Sequence, residues 1–136
     1  MAEAVAEREL EYILVTDHGP HAPIPRTLDE ETFEEQVAAV EAADEELDIT
    51  VLHGVEAEIT EHGLELPESW YYRCDLIVAG MHSTPSNPTE QIVDALAEFP
   101  IDIFAHPSKR LINEREPLDL DTETVMETAA EENVAI

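Results

Sequence analysis

The chain has 136 residues, enough for one modest domain with a real core but too few for a complete barrel enzyme. No apolar run approaches the roughly 20 residues of a membrane span, the N-terminal stretch is charged throughout, and the single Cys74 excludes an intramolecular disulfide or a cysteine metal cluster. Lys and Arg total 6 against 33 Asp and Glu, a net charge of −27, yet 43% of residues are apolar and fall in ordered runs, which argues for a folded acidic domain over a disordered tract. Such a domain repels itself in dilute buffer. At molar salt the screening length falls to about 3 Å and the penalty nearly vanishes, so the composition points to a high-salt cytoplasm, with Cys74 reduced, and a general acidic interaction surface is the weaker alternative.

Taken in order, short apolar runs alternate with amphipathic helical stretches, the pattern of βα units around a parallel sheet. A helix is predicted over Ala2 to Leu10 and a strand over Tyr12 to Val15. A Pro-rich loop leads to a long helix, Asp29 to Leu47, with Phe33, Val37, Val40 and Leu47 as its apolar stripe. A strand follows over Ile49 to Val55, then a Gly-turn segment, EHGLELPESW, and a strand over Leu76 to Met81. Asn87-Pro88-Thr89-Glu90 reads as a helix start with an N-cap asparagine, and that helix buries Ile92, Val93, Leu96 and Phe99. A strand over Ile101 to Ala105, a loop and a helix over Thr122 to Asn133 capped by Asp121 complete the pattern, and Val134-Ala135-Ile136 reads as the first half of a further strand.

The polar residues fall on this scheme with a regularity. YILVT runs into Asp17-His18, ITVLHGV into Glu56 with Glu58 two residues later, LIVAGM into His82, and IDIFA into His106. In a parallel βα arrangement the C-terminal strand ends share one face, so residues distant in sequence converge there. Each residue alone reads more readily as a hydrogen-bonded turn residue than as a ligand, whereas four in the same structural role favour a ligand set. Imidazole nitrogens and a carboxylate suit Zn²⁺, Mn²⁺ or Fe²⁺. His53, inside a strand, reads as a packed core or barrel-wall residue, and His62 in its EHG turn as solvent-facing. His21, in the Pro-rich loop, lies within possible reach of the site. Lys109 and Arg110 follow His106 closely, and positive charge kept beside this face suggests an anionic substrate. The planar fork of arginine suits phosphate.

The pieces EYILVTDHGP, HGVEAEI, AGMHS and DIFAHPSKRL, in this order and spacing, resemble the PHP superfamily, the polymerase and histidinol phosphatase metal-dependent phosphoesterases. The tail from Arg110 to Ile136 most resembles the PHP domain of family X DNA polymerases, of halophilic archaeal look, with histidinol phosphatase-like members a close second. The resemblance implies an α/β fold, a distorted (βα)₇ barrel of TIM-like type with up to three divalent ions at its strand C-termini. Residues 1–136 are then expected to be a single incomplete PHP domain, covering about strands 2–5 of that barrel and the start of another. By motif position His18, Glu56, His82 and His106 match metal ligands, and Asp17 matches a partner behind them. Glu56, His82 and His106 are expected to share one ion. Asp17 and Arg110 are the catalytic candidates, and Lys109 and Arg110 the substrate-binding ones.

The implied reaction is hydrolysis of a phosphoric ester by metal-activated water, on a phosphorylated small molecule such as histidinol phosphate or on a DNA 3′ end. The family's N-terminal His-x-His and C-terminal Asp-x-His are absent, as in a chain truncated at both ends. A non-catalytic metal-binding remnant or module is therefore the alternative reading, with weak or no phosphatase activity expected of the isolated chain. Its open sheet edges are then expected to be covered by self-association or by a missing domain.

Overall fold

The computed structural model describes residues 1–136. The chain runs α1 (Ala2–Ala6), β1 (Tyr12–His18), α2 (Glu30–Glu46), β2 (Thr50–Thr60), β3 (Gly63–Glu65), α3 (Glu68–Tyr71), β4 (Leu76–Gly80), α4 (Pro88–Glu98), β5 (Ile103–Phe104) and α5 (Thr122–Glu131). The sheet order is β1-β2-β4-β5, every pair along it parallel, with β3 folded back antiparallel on the end of β2. Ala135 bridges Ile103 in parallel, so the C-terminal residues extend the sheet past β5, as the sequence predicts. A parallel strand core with flanking helices is the α/β architecture expected of a partial, distorted barrel.

Alternation along β2 divides the molecule. Val55 packs with Phe33 and Val37 of α2 and with Trp70 of α3, while Ala57 and Ile59 join the larger core beneath α4 and α5. That core includes Ile77, Ala79 and Met81 from the β4 segment, Ile92 and Leu96 from α4, Phe104 from β5, and Val125 and Ala129 from α5. The intervening residues Gly54, Glu56 and Glu58 face the other way. Helix α2 starts where Asp29 accepts the Thr32 amide at 2.8 Å and Thr32 Oγ1 accepts the Asp29 amide at 2.8 Å, a reciprocal cap. Phe33 stacks on Trp70 with ring centroids 3.8 Å apart, and the indole N–H donates to Glu30 at 3.0 Å. Asp121 caps α5 through the Thr124 amide, as expected.

The structure departs from the sequence reading at several ends. Helix α1 stops at Ala6, before Leu10, and β5 is shorter than the Ile101–Ala105 run that encodes it. Strand β2 continues past Val55 to Thr60, because β3 pairs its far end with Glu58↔Glu65, Ile59↔Leu64 and Thr60↔Gly63. Within EHGLELPESW the turn thus closes a hairpin, with Gly63 at φ 97. Asn87 occupies the N-cap position, but its side chain bonds those of Glu90 and Gln91 and leaves the helix backbone uncapped.

Gly54 lies where β1, β2 and β4 meet. A Cβ there stands 2.7 Å from the Leu76 carbonyl oxygen and 3.0 Å from Leu14 Cδ1, and the first neighbour is backbone that cannot yield cheaply. We expect Gly54→Ala to destabilise the fold by about 1–3 kcal/mol. Thermal unfolding checks this, and a Tm equal to wild type counts against it.

Candidate metal centre

Strand register assembles the site. His18 pairs with Glu56, Glu56 with Val78, and Glu58 with Gly80, and residues in parallel register share a face. Since Val55 and Ala57 point into the helix-side cores, Glu56 and Glu58 point to the opposite face with His18. His82 follows Met81, which is buried in the core, so alternation returns His82 to the Glu56 face. His106 arrives differently. Phe104 is a core residue, and strict alternation would send His106 to the core as well. The strand instead ends at Phe104, and a left-handed backbone at His106, φ 38, accompanies a ring that reaches Glu56.

The Glu56 carboxylate is the hub. Its Oε1 lies 2.8 Å from His106 Nε2 and 3.5 Å from His82 Nε2, and its Oε2 lies 3.5 Å from His18 Nε2. The rings stand edge-to-face, with centroids 5.1 Å apart for His18 and His82 and 5.0 Å for His82 and His106. The hydrogen bond from His106 holds the Glu56 carboxyl below the usual carboxylate range, against the opposing effect of burial, and the nearby imidazoles add to the lowering. The same bond raises the His106 imidazole.

His18, Glu56 and His82 offer ligand atoms within 4.8 Å of one another, a cluster able to coordinate a divalent metal. The donor chemistry fits, and so does the space. A Cβ at Gly80 would lie 2.7 Å from Glu56 Oε1 and 3.0 Å from His106 Cε1, so only glycine leaves room for the hub carboxylate in this position. This tight set differs from the expected Glu56–His82–His106 group. His18 is inside it, and His106 joins through its bond to Glu56.

The remaining candidates divide. Asp17 does not reach the cluster: alternation turns it to the opposite face, where it accepts a hydrogen bond from Gln36 Nε2 at 2.5 Å. Gln36 Oε1 in turn faces His53 Nε2 at 2.9 Å, and burial pushes that imidazole down. His53 is indeed a buried wall residue and His62 is exposed. His21 lies 4.0 Å from Glu65, beside the β2–β3 hairpin.

Lys109 is buried, and its ammonium donates to the carbonyls of His82 and Ser83 and to Thr84 Oγ1. Its ammonium therefore holds the turn after β4, while the residue also borders the cavity beside Arg110. Arg110 is exposed and lines a cavity of about 250 Å³ together with His82, His106, Lys109, Leu111 and Arg115.

Two residues carry no site role in the sequence reading. Arg115 reaches this cavity through a turn closed by the Leu111↔Arg115 bridge, a proximity that linear spacing conceals. Glu58, buried behind His82, accepts from its Nδ1 at 2.6 Å. The signal for Glu58 was present, since two acids two residues apart on a strand share a face. The largest cavity, about 420 Å³, lies elsewhere, among α1, β1 and α2. It touches none of the cluster residues, and the chemistry of its mostly apolar lining offers no comparable ligand set.

At Gly80 the atom opposing a Cβ is the tip of the Glu56 side chain, so the fold can absorb Gly80→Ala while the carboxylate cannot keep its place. We expect Gly80→Ala to unfold close to the wild-type Tm but to bind Mn²⁺ or Zn²⁺ at least about tenfold more weakly by calorimetry. Equal affinity in the two proteins counts against Glu56 as the hub.

Comparison with known proteins follows the same line. No family model matches the chain. It is 30% identical over 142 aligned positions to a DNA polymerase/3′-5′ exonuclease PolX of Bacillus subtilis, with 100% of this chain and 25% of that protein covered. It is 31% identical over 147 positions to a probable phosphatase of Caldicellulosiruptor saccharolyticus, with 100% of this chain and 57% of that protein covered. A probable phosphatase of Acetivibrio thermocellus is 28% identical, over 89% of this chain and 50% of its own length. The chain thus spans from a quarter to somewhat over half the length of these curated relatives. Together with the His18–Glu56–His82 cluster, these matches relate the chain distantly to the phosphoesterase-type proteins of the PHP superfamily.

Proposed function

We propose that this chain is, or forms part of, a metal-dependent phosphoesterase of the PHP type. The observation that carries the reading is the Glu56 carboxylate ringed by the Nε2 atoms of His18, His82 and His106, beside a cavity edged by Arg110 and Arg115. Lys109, Arg110 and Arg115 are half of the 6 basic residues in the chain, so positive charge is concentrated at this one face. The names of the relatives, a polymerase with exonuclease activity and probable phosphatases, both describe work on phosphoric esters.

In this reading His18, Glu56 and His82 hold one divalent ion, Zn²⁺, Mn²⁺ or Fe²⁺, with His106 as a further donor. The chemistry such an ion supplies is Lewis-acid polarisation of a phosphoryl oxygen and acidification of water. Arg110 meets the phosphoryl oxygens through its paired N–H donors. The substrate is a phosphorylated small molecule or a DNA 3′ end. No helix is long and apolar enough to cross a membrane. With a net charge of −27, the protein is suited to a cytoplasm of high salt.

The test is hydrolysis of p-nitrophenyl phosphate and of a 3′-phosphorylated oligonucleotide with added Mn²⁺ or Zn²⁺. From this chain we expect at most weak hydrolysis, which chelator removes and metal restores, which is lost in Glu56→Gln, and which shows a raised KM in Arg110→Ala. Tight metal binding with no hydrolysis of either substrate would favour the non-catalytic metal-binding module. Separately, the Tm should rise from dilute buffer to molar KCl as self-repulsion is screened. A flat or falling Tm overturns the high-salt assignment.

A further inference from the structure

Behind His82 lies an arrangement that the metal-site reading does not use. Glu58 is 3% exposed, and its carboxylate is fully engaged on one turn. Oε1 accepts the backbone N–H of His82 at 2.7 Å and that of Ser83 at 3.0 Å, while Oε2 lies 2.6 Å from His82 Nδ1. Lys109, 7% exposed, grips the same turn from its carbonyl side, at His82 and Ser83, and adds Thr84 Oγ1 at 3.1 Å. The Lys109 carbonyl is in turn held by Arg115 Nε at 2.8 Å. One short turn is thus fixed by a buried carboxylate on its amides and a buried ammonium on its carbonyls, and no buried polar side-chain atom is left without a partner.

We propose that Glu58 is a positioning residue that sets the tautomer of His82, placing the ring proton on Nδ1 and leaving the Nε2 lone pair facing Glu56. A carboxylate accepts and does not donate, so the short contact to Nδ1 requires the proton there. In the neutral ring Nε2 is then an acceptor, 3.5 Å from another acceptor, Glu56 Oε1. Two acceptors facing each other at that distance are mutually repulsive until a cation lies between them. The Glu58 contact therefore turns His82 from a general polar residue into a directed ligand. Lys109 fixes the backbone from which the ring projects. This inference rests on the metal-centre reading above and extends it to residues outside the ligand set.

The test reads the tautomer in the metal-free protein and metal affinity separately. Long-range ¹H–¹⁵N NMR of the His82 ring should show Nδ1–H in wild type, and Mn²⁺ or Zn²⁺ should bind by calorimetry. In Glu58→Gln the amide nitrogen can turn toward Nδ1 and donate. The ring should then shift toward Nε2–H, and metal affinity should fall by about 10–100-fold. A merely structural role would lower the Tm without moving the tautomer. The proposal is overturned if wild type shows Nε2–H, a result that needs no variant to fold. It is equally overturned if Glu58→Gln keeps both the Nδ1–H ring and the wild-type affinity. Wild type that holds Nδ1–H but binds neither metal leaves the Glu58 assignment standing and instead defeats the metal-centre reading.

Discussion

The structure depends on one constraint, the parallel register of β1, β2 and β4 that sets His18 beside Glu56 and Glu58 beside Gly80. A slip of one residue in β2 would exchange its faces, putting Glu56 and Glu58 into the helix-side cores and Val55 and Ala57 onto the polar face. Burial of those apolar residues against α2 and α4 forbids the slip. The same hydrophobic packing that stabilises the sheet therefore aims the carboxylates, and the site is a by-product of register.

Around that register the molecule segregates its chemistry. The outer face of the sheet is covered by helices over an apolar core, and the Asp17–Gln36–His53 network runs along it from the exposed Asp17 to the buried His53. The inner face carries the Glu56 hub and the Glu58–Lys109 grip on the turn after β4. Each buried charge there is met by several hydrogen bonds, which offsets the desolvation that would otherwise exclude it. In a chain with so few basic residues, burying one of them at this turn is a notable use of scarce positive charge.

Much of this was legible in the sequence because it follows local periodicity. The α2 stripe of Phe33, Val37 and Val40, the Asp121 cap and the βα alternation arise from interactions between near neighbours, and they appear where the pattern puts them. Strand ends were less legible. The end of β2 was placed at Val55, and its continuation to Thr60 depends on a hairpin partner that forms only in the folded chain. The residues flanking the ligands were least legible. Asp17 and His18 are adjacent in sequence, yet the pleat sends them to opposite faces.

The sequence by itself determined the fold class, the acidity, and the meeting of His18, Glu56 and His82 on the inner face, because these follow from composition and from periods of 2 and 3.6 residues. Only the tertiary structure decided which side chains fill which role. It turned His106 inward by a left-handed backbone, withdrew Lys109 from solvent onto the carbonyls of His82 and Ser83, and placed Glu58 behind His82. Those outcomes depend on contacts between residues some 25 positions apart, set by strand register and by dihedral angles at single residues, which no local pattern encodes.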